Sequence, residues 1–327
     1  MTRSILKIIV SLGLLALLAT KLDWQQVLER AAQLQWWTLP LAVAIQTLVW
    51  AIANTRWWLL IRVHALGHGY GDLLRPTFIG AFFNNLLPSS TGGDLFRMYH
   101  IYRQGHGAAA AVSPIVTERA VGLICMVALA TVTIFRFSHD TSFFHALRAL
   151  LFWLLCGGLA GIAVVSFPAS YYFFHGVLAR WDRFRPVSAL LHITEAIHRY
   201  LNRPGLLASL ILISLGLQLM EIVIFLILGY GVGASLPPTQ YLFIVPVVLV
   251  AASIPVTVGG LGVREATAIT LFTSAGMSQE NAAAVALLFI PVLLLSGAPG
   301  LWFFLRMKGH RKFYQRATHT DFGEPAP

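Results

Sequence analysis

The stretch PSSTGGDLFR, Pro88 to Arg97, returns 167 positions later as PVTVGGLGVR, Pro255 to Arg264, with the Pro, the adjacent Gly pair and the closing Arg in register. Each copy follows a short apolar run. One such motif arises easily by chance in a glycine-containing apolar chain, but two with the same spacing indicate duplication. Internal repeats of this kind are a signature of transporter architectures.

The residues around each copy predict a re-entrant hairpin. Pro76 to Leu87 is twelve residues, which as a helix rises about 18 Å and does not cross a hydrocarbon layer of about 30 Å. The chain then turns through PSSTGG and leaves as a second half-helix bearing Asp94, Arg97 and Arg103, too charged to face lipid. Tyr241 to Ile254, the second turn and Glu265 to Ala275 repeat the pattern. Full spans are predicted at Ile5 to Ala19, Leu39 to Leu60, Ala108 to Phe135, Ala146 to Phe167, Leu206 to Tyr230 and Ala282 to Leu305. Leu22 to Trp37 reads as an interfacial amphipathic helix with Trp36 and Trp37 at headgroup level. The stretch from Tyr171 to Arg203 reads as a basic amphipathic cytoplasmic connector, and 307–327 as a disordered tail.

The expected fold is therefore an all-α integral membrane protein. It has about six full transmembrane helices plus two re-entrant helical hairpins, arranged as two inverted repeats (39–135 and 206–305) in a single membrane domain.

Composition agrees. Hydrophobic residues make up 57% of the chain, charged residues only 11%, and mean hydropathy is +0.73, against about 25% charged residues in a soluble domain. The net charge of +10 does not point to nucleic acid, because the basic residues sit between apolar runs without an aromatic-interleaved face. They read as topology signals facing anionic lipid headgroups. Seventeen Lys and Arg fall on one side of the layout and five on the other, which places both termini in the cytoplasm. The hairpins then enter from opposite faces. Cys125 and Cys156 lie in apolar runs without metal-ligand spacing, so neither a disulfide framework, a metal nor a cofactor is expected.

Irregular backbone in a membrane needs a polar interior, since each orphan amide in hydrocarbon costs several kcal/mol. The candidate site is drawn from the residues that would line it. Gly92, Gly93, Gly259 and Gly260 open the half-helices, whose positive ends favour an anion. Arg97 and Arg264 add charge suited to phosphate, or else snorkel to the surface. Asn84, Asn85, Ser89 and Ser90 flank the first turn and either cap backbone or line a cavity. Glu118 lies about 15 Å into its helix, near the midplane, with Arg119 pointing about 100° away. Arg97 or Arg264 would partner Glu118; Asp94, Glu221 or Glu265 would partner Arg119. Structural ion pairs and a direct substrate or proton role both fit these charges.

Three stretches, NNLLPSSTGGDLFR (Asn84 to Arg97), SPIVTERAVGLI (Ser113 to Ile124) and IPVTVGGLGVREA (Ile254 to Ala266), resemble the signature regions of the lysylphosphatidylglycerol synthase transmembrane family, also called flippase-like. The resemblance covers nearly the whole chain. It implies a multi-pass protein that moves or handles aminoacylated phosphatidylglycerol, hopanoids or polyprenyl-linked glycans. Its polar pattern falls on Asn85, Pro88, Gly92, Gly93, Asp94, Arg97, Glu118, Arg119, Pro255, Gly259, Gly260, Gly262, Arg264 and Glu265. Bifunctional members continue into a soluble aminoacyl transferase domain, whereas this sequence runs only to Pro327, so synthesis of lysylphosphatidylglycerol is not expected of it.

Three functions follow as expectations. The first is translocation of a phosphate-bearing lipid between leaflets, the second an accessory role beside a glycosyltransferase or lipid synthase partner, the third intramembrane headgroup chemistry. No HExxH helix, GxSxG elbow or acidic metal cluster supports the third.

Overall fold

A computed structural model describes residues 10–11, 13, 20, 22–86, 92–135, 142–180, 185–234, 236–254, 257 and 260–307. The described chain is entirely helical: α1 (Trp24–Ala32), α2 (Thr38–Arg62), α3 (Tyr70–Leu86), α4 (Gly92–Arg103), α5 (Ala108–Ile134), α6 (Ser142–Ser166), α7 (Pro168–Ala179), α8 (Arg185–Leu201), α9 (Pro204–Gly231), α10 (Pro238–Ser253), α11 (Val263–Ser274) and α12 (Gln279–Arg306). Five of these, α2, α5, α6, α9 and α12, are long and apolar enough to cross a membrane. The chain is an all-α, multi-pass membrane protein. Most of the expected first span, and the tail from 308 onward, lie outside the described residues.

Two expected elements change. The first hairpin arm begins at Tyr70 rather than Pro76 and carries Pro76 inside a 17-residue helix. Its opening turn holds exposed Asp72, whose carboxylate accepts the Gly69 N–H at 2.9 Å, and Arg75. Most of the apolar run from Pro76 is buried, as is Leu73 before it, so the length of the apolar run marked the inserted portion and not the whole helix. The stretch from Tyr171 to Arg203 is also not one helix: α7 ends at Ala179 and α8 begins at Arg185. The aromatic α7 exposes Tyr172, Phe173 and Phe174, and only α8 has the sharply two-faced character expected of the whole.

Helix packing follows one rule. Within the first half, α2 packs on α3, α3 on α4, α4 on α5 and α2 on α5; within the second, α9 packs on α10, α10 on α11, α11 on α12 and α9 on α12. Between the halves, α3 packs on α12 and α10 on α5, α2 on α12 and α9 on α5, and α1 on α12 and α8 on α5. Exchanging α1–α5 with α8–α12 turns each of these pairings into another. The contact of α2 with α9 maps onto itself and is antiparallel, since Gln46 meets Glu221 while Arg56 meets Ser214. The amphipathic helices α1 and α8 thus take equivalent places. Helices α6 and α7 have no counterpart and join the halves, and α6 leaves Leu150, Phe152, Trp153, Leu154 and Leu159 exposed as a lipid-facing surface.

Glycine sets the closest approaches. A Cβ on Gly93 would fall 1.8 Å from the Gly80 carbonyl oxygen, and one on Gly300 would fall 2.0 Å from that of Phe78. Backbone-to-backbone contact of this kind is how membrane helices gain packing without a hydrophobic driving force between them. The first contact clamps α4 on α3; the second clamps α3 on α12. In the second hairpin Gly260 and Gly262 have φ of 79° and 86°, a region that side-chain-bearing residues rarely adopt. Overpacking ordinarily costs about 1–3 kcal/mol. Backbone cannot rotate away as a side chain can, so Gly93→Ala is expected at or above the top of that range, read as a lower melting temperature and loss of the monodisperse peak in detergent. Gly161→Ala, whose Cβ meets nothing within 4 Å, should behave as the parent protein does.

Candidate functional site

The first half of the molecule gathers its charge around Glu118 of α5. Arg97 of α4 donates through Nη2 to Glu118 Oε2 at 2.7 Å, and Arg56 of α2 donates through Nη2 to Glu118 Oε1 at 3.1 Å. Arg56 Nη1 also donates to Ser214 Oγ of α9 at 2.9 Å. One carboxylate is therefore shared by two arginines, and four helices meet there. The Arg97 guanidinium lies 4.4 Å over the Trp57 ring, a cation–π contact strengthened by desolvation. Toward the outer edge, Asp94 accepts from Arg119 Nε at 2.8 Å and pairs with its Nη2 at 2.6 Å. The two neighbours Glu118 and Arg119 have separate partners, as their divergence around the helix requires.

Three donors in this cluster have no hydrogen-bond partner and are buried: Arg56 Nε, Arg97 Nε and Trp57 Nε1. With Asp94 and Arg119 cancelling, two arginines share one carboxylate, leaving one positive charge in excess among the described residues. Spare donors and net positive charge are the features that an anion can satisfy.

The second half is different. Arg264 donates to its neighbour Glu265 Oε1 through Nη2 at 2.6 Å and Nε at 2.9 Å, and sits 5.1 Å over Phe289. Glu265 Oε2 accepts the Gly262 N–H at 2.6 Å, so the carboxylate occupies the N-terminal end of α11. At the other hairpin Asn84 Oδ1 accepts the Gly93 N–H at 2.8 Å. In each hairpin, then, an amide at the start of the half-helix is engaged by a residue of the same hairpin, and the unpartnered donors belong to Arg56, Arg97 and Trp57 on the first-half side. Between Arg264 and α2 lies Glu221 of α9, whose Oε1 accepts from Gln46 Nε2 at 3.0 Å and which sits within electrostatic range of Arg264.

The remaining expected site residues are placed as follows. Gly92 opens α4 and Asn85 lies on the last turn of α3; Gly260 packs against Ala252. Ser89, Ser90 and Gly259 lie outside the described residues. Of the two arginines expected as alternative partners of Glu118, Arg97 binds it and Arg264 binds Glu265 instead. Sequence reasoning missed Arg56, Trp57 and Gln46. Arg56 falls within the span expected at Leu39 to Leu60 but was counted among the topology charges rather than with the site; it lies inside α2. The signal was present, because a charge within an otherwise apolar span is itself a site marker.

This class of molecule, a multi-pass helical membrane protein with a charged interior between two hairpin-containing halves, matches the model of one family. Residues 4–297 match the lysylphosphatidylglycerol synthase transmembrane region, and the chain belongs to that family. No curated protein matches the sequence.

Removing one partner of a buried pair costs about 3–5 kcal/mol, because the other is left uncompensated. Glu118→Ala should therefore lower stability by that order in a denaturant or thermal series, and Arg119→Ala should also destabilise, because it leaves the buried Asp94 carboxylate with Arg97 at 3.7 Å as its ion-pair partner among the described residues. A second test concerns the end of α2. His64 Nε2 and Ser113 Oγ meet the Tyr200 hydroxyl, the latter at 3.0 Å. Burial, with Arg199 and His106 nearby, holds the His64 imidazole below its ordinary 6.5, and burial raises Tyr200 to about 12. The unfolded chain thus takes up a proton at His64 before the folded one does. Its contribution to stability is full above 6.5 and falls as pH drops from 6.5 toward the lower folded value. His64→Gln should reduce that slope in melting temperature against pH.

Proposed function

We propose that the protein moves a phosphate-bearing lipid between the leaflets of a bacterial inner membrane, with the headgroup held by Arg56, Arg97 and Trp57 while the acyl or prenyl tails stay in the bilayer. The observation that carries this reading is the trio of buried donors without partners beside a carboxylate shared by two arginines. A purely structural ion network would satisfy its donors, since an unmet buried donor costs about 1–3 kcal/mol. A phosphate brings several acceptor oxygens and a negative charge, and matches both the spare hydrogen bonds and the excess positive charge.

The route follows from the chain's crossings. Three long helices, α2, α5 and α6, separate the start of α2 from the start of α9, and each hairpin returns to the side it left. The two halves then run in opposite senses, with the basic majority and both termini in the cytoplasm. The two hairpins enter from opposite faces, and alternate loosening of α3–α4 and α10–α11 exposes the interior to each leaflet in turn.

Trp57→Phe retains the ring beneath Arg97 and removes one donor; Arg97→Lys retains charge and removes the guanidinium fork. Loss of a hydrogen bond to a charged group amounts to about 1.5–3 kcal/mol, about ten- to a hundredfold in rate or affinity. Each variant should slow transfer of a fluorescent anionic phospholipid across reconstituted vesicles by that factor with the melting temperature retained. Transfer at the parent rate in both would overturn the assignment.

A further inference from the structure

The leftover polar atoms of the interior sort by chemistry. Around Glu118 they are donors. Around Glu221 they are acceptors: Glu221 Oε2, Gln46 Oε1 and Gln218 Oε1 are all buried and have no hydrogen-bond partner. Gln46 is fully buried and Gln218 is 7% exposed. Gln218 lies one turn before Glu221 on the same face of α9, and Gln46 reaches Glu221 from α2.

We propose that Gln46, Gln218 and Glu221 form the binding site for a small monovalent cation, a proton or Na⁺, whose occupancy is coupled to movement of the headgroup held on the Arg56–Arg97 side. The coupling rests on the translocase reading; the cation site does not.

Charge supports it. No cation pairs directly with the Glu221 carboxylate among the described residues. Arg264, the charged group of α11 nearest to it, is bonded to Glu265, so that pair is neutral as a unit. Helix α10 carries no charged residue, and α12 carries none between Glu280 and Arg306. The charges of α2 and α5 that lie deeper in the bundle, Arg56, Glu118 and Arg119, bind each other, Arg97 and Asp94. On α8, Glu195 and Arg199 precede the start of α9, and Glu221 lies seventeen residues into that helix. Glu221 is thus one negative charge in excess, and Glu118 is not an equivalent candidate because two arginines already compensate it. A proton on Glu221 turns an acceptor into a donor for a neighbouring glutamine oxygen; Na⁺ is bound by the oxygens directly.

Geometry separates the cation from the headgroup. Gln46 and Arg56 are ten residues apart on α2, about 15 Å, so one ethanolamine-type headgroup does not place its phosphate on the arginines and its amine on Glu221. Both centres nevertheless sit on the antiparallel α2–α9 pair, the contact that maps onto itself when the halves are exchanged. A change of charge on α9 at Glu221 therefore acts on the helix that also holds Arg56 through Ser214.

The test uses the purified full chain and two readouts. Infrared difference spectra across the neutral pH range, with and without NaCl, should show a protonated-carboxyl band that is lost in Glu221→Gln. If Na⁺ is the ligand, NaCl removes the band at constant pH; if a proton, NaCl leaves it unchanged. Gln218→Leu should shift the titration or the Na⁺ dependence, and Arg97→Lys should leave the band in place. Identical spectra for the parent and Glu221→Gln would overturn the site. In vesicles, an imposed pH or Na⁺ gradient should change the rate of anionic lipid transfer by the parent, and the ratio of rates with and without the gradient should fall to one in Glu221→Gln. An unchanged ratio overturns the coupling. Parent protein that keeps the carboxyl band but transfers no lipid sinks the translocase reading and the coupling while leaving the cation site standing.

Discussion

An ionised group in the middle of a membrane protein must be compensated where it stands, and Glu118 shows how far that requirement shapes the molecule. Its two carboxylate oxygens take Arg97 from the first hairpin and Arg56 from α2, and Arg56 reaches on to Ser214 of α9. The hairpin is fixed to the bundle through that carboxylate as much as through apolar packing. Stability alone does not explain the arrangement. Replacing a buried ion network with well-packed apolar residues is often neutral or stabilising by about 1–4 kcal/mol, so a chain selected only to close this gap would do as well with Leu and Met. The unmet donors of Arg56, Arg97 and Trp57 are what an apolar substitute would lack.

Close backbone contact makes the charge cluster possible. Gly93 against Gly80 and Gly300 against Phe78 draw α3, α4 and α12 together until their backbones touch, which holds Asp94 and Arg97 against α5 rather than in lipid. The two halves share this architecture without sharing its chemistry. The positions that align with Gly92, Gly93 and Arg97 recur as Gly259, Gly260 and Arg264, but Glu265 neutralises Arg264 from the next residue, and the interior of α12 has no charge to match Glu118. The helix pairings recur between the halves, whereas the unpartnered donors gather around Glu118 and the unpartnered acceptors around Glu221, Gln46 of α2 among them.

Much of this was legible in the sequence because a bilayer leaves few choices. Apolar length identified the five long helices to within a few residues, and the short apolar runs before each Pro fall within α3 and α10. The family resemblance carried by the same motifs is confirmed over residues 4–297. Pairing of Glu118 with Arg97, and of Arg119 with Asp94, was among the options that helical geometry allowed. Where reading failed, the missing information was non-local. Arg56 was counted as a topology charge because a run of amino acids does not say how deep a charge near a helix end lies. Gln46 and Trp57 were passed over because an isolated polar or aromatic residue in a span has no distinctive spacing.

The sequence by itself determined that this chain is a helical membrane protein with two related hairpins and an interior rich in arginine, because hydropathy, helix rise and the Pro–Gly–Gly–Arg repeat are properties of the chain alone. The tertiary structure decided which charges meet. Arg56 reaches Glu118 across 62 positions and Gln46 reaches Glu221 across 175, and such partners are set by how α2 lies against α5 and α9. Whether a buried donor or acceptor is satisfied depends on every helix around it, so the separation of unpartnered donors beside Glu118 from unpartnered acceptors beside Glu221 exists only in the folded molecule.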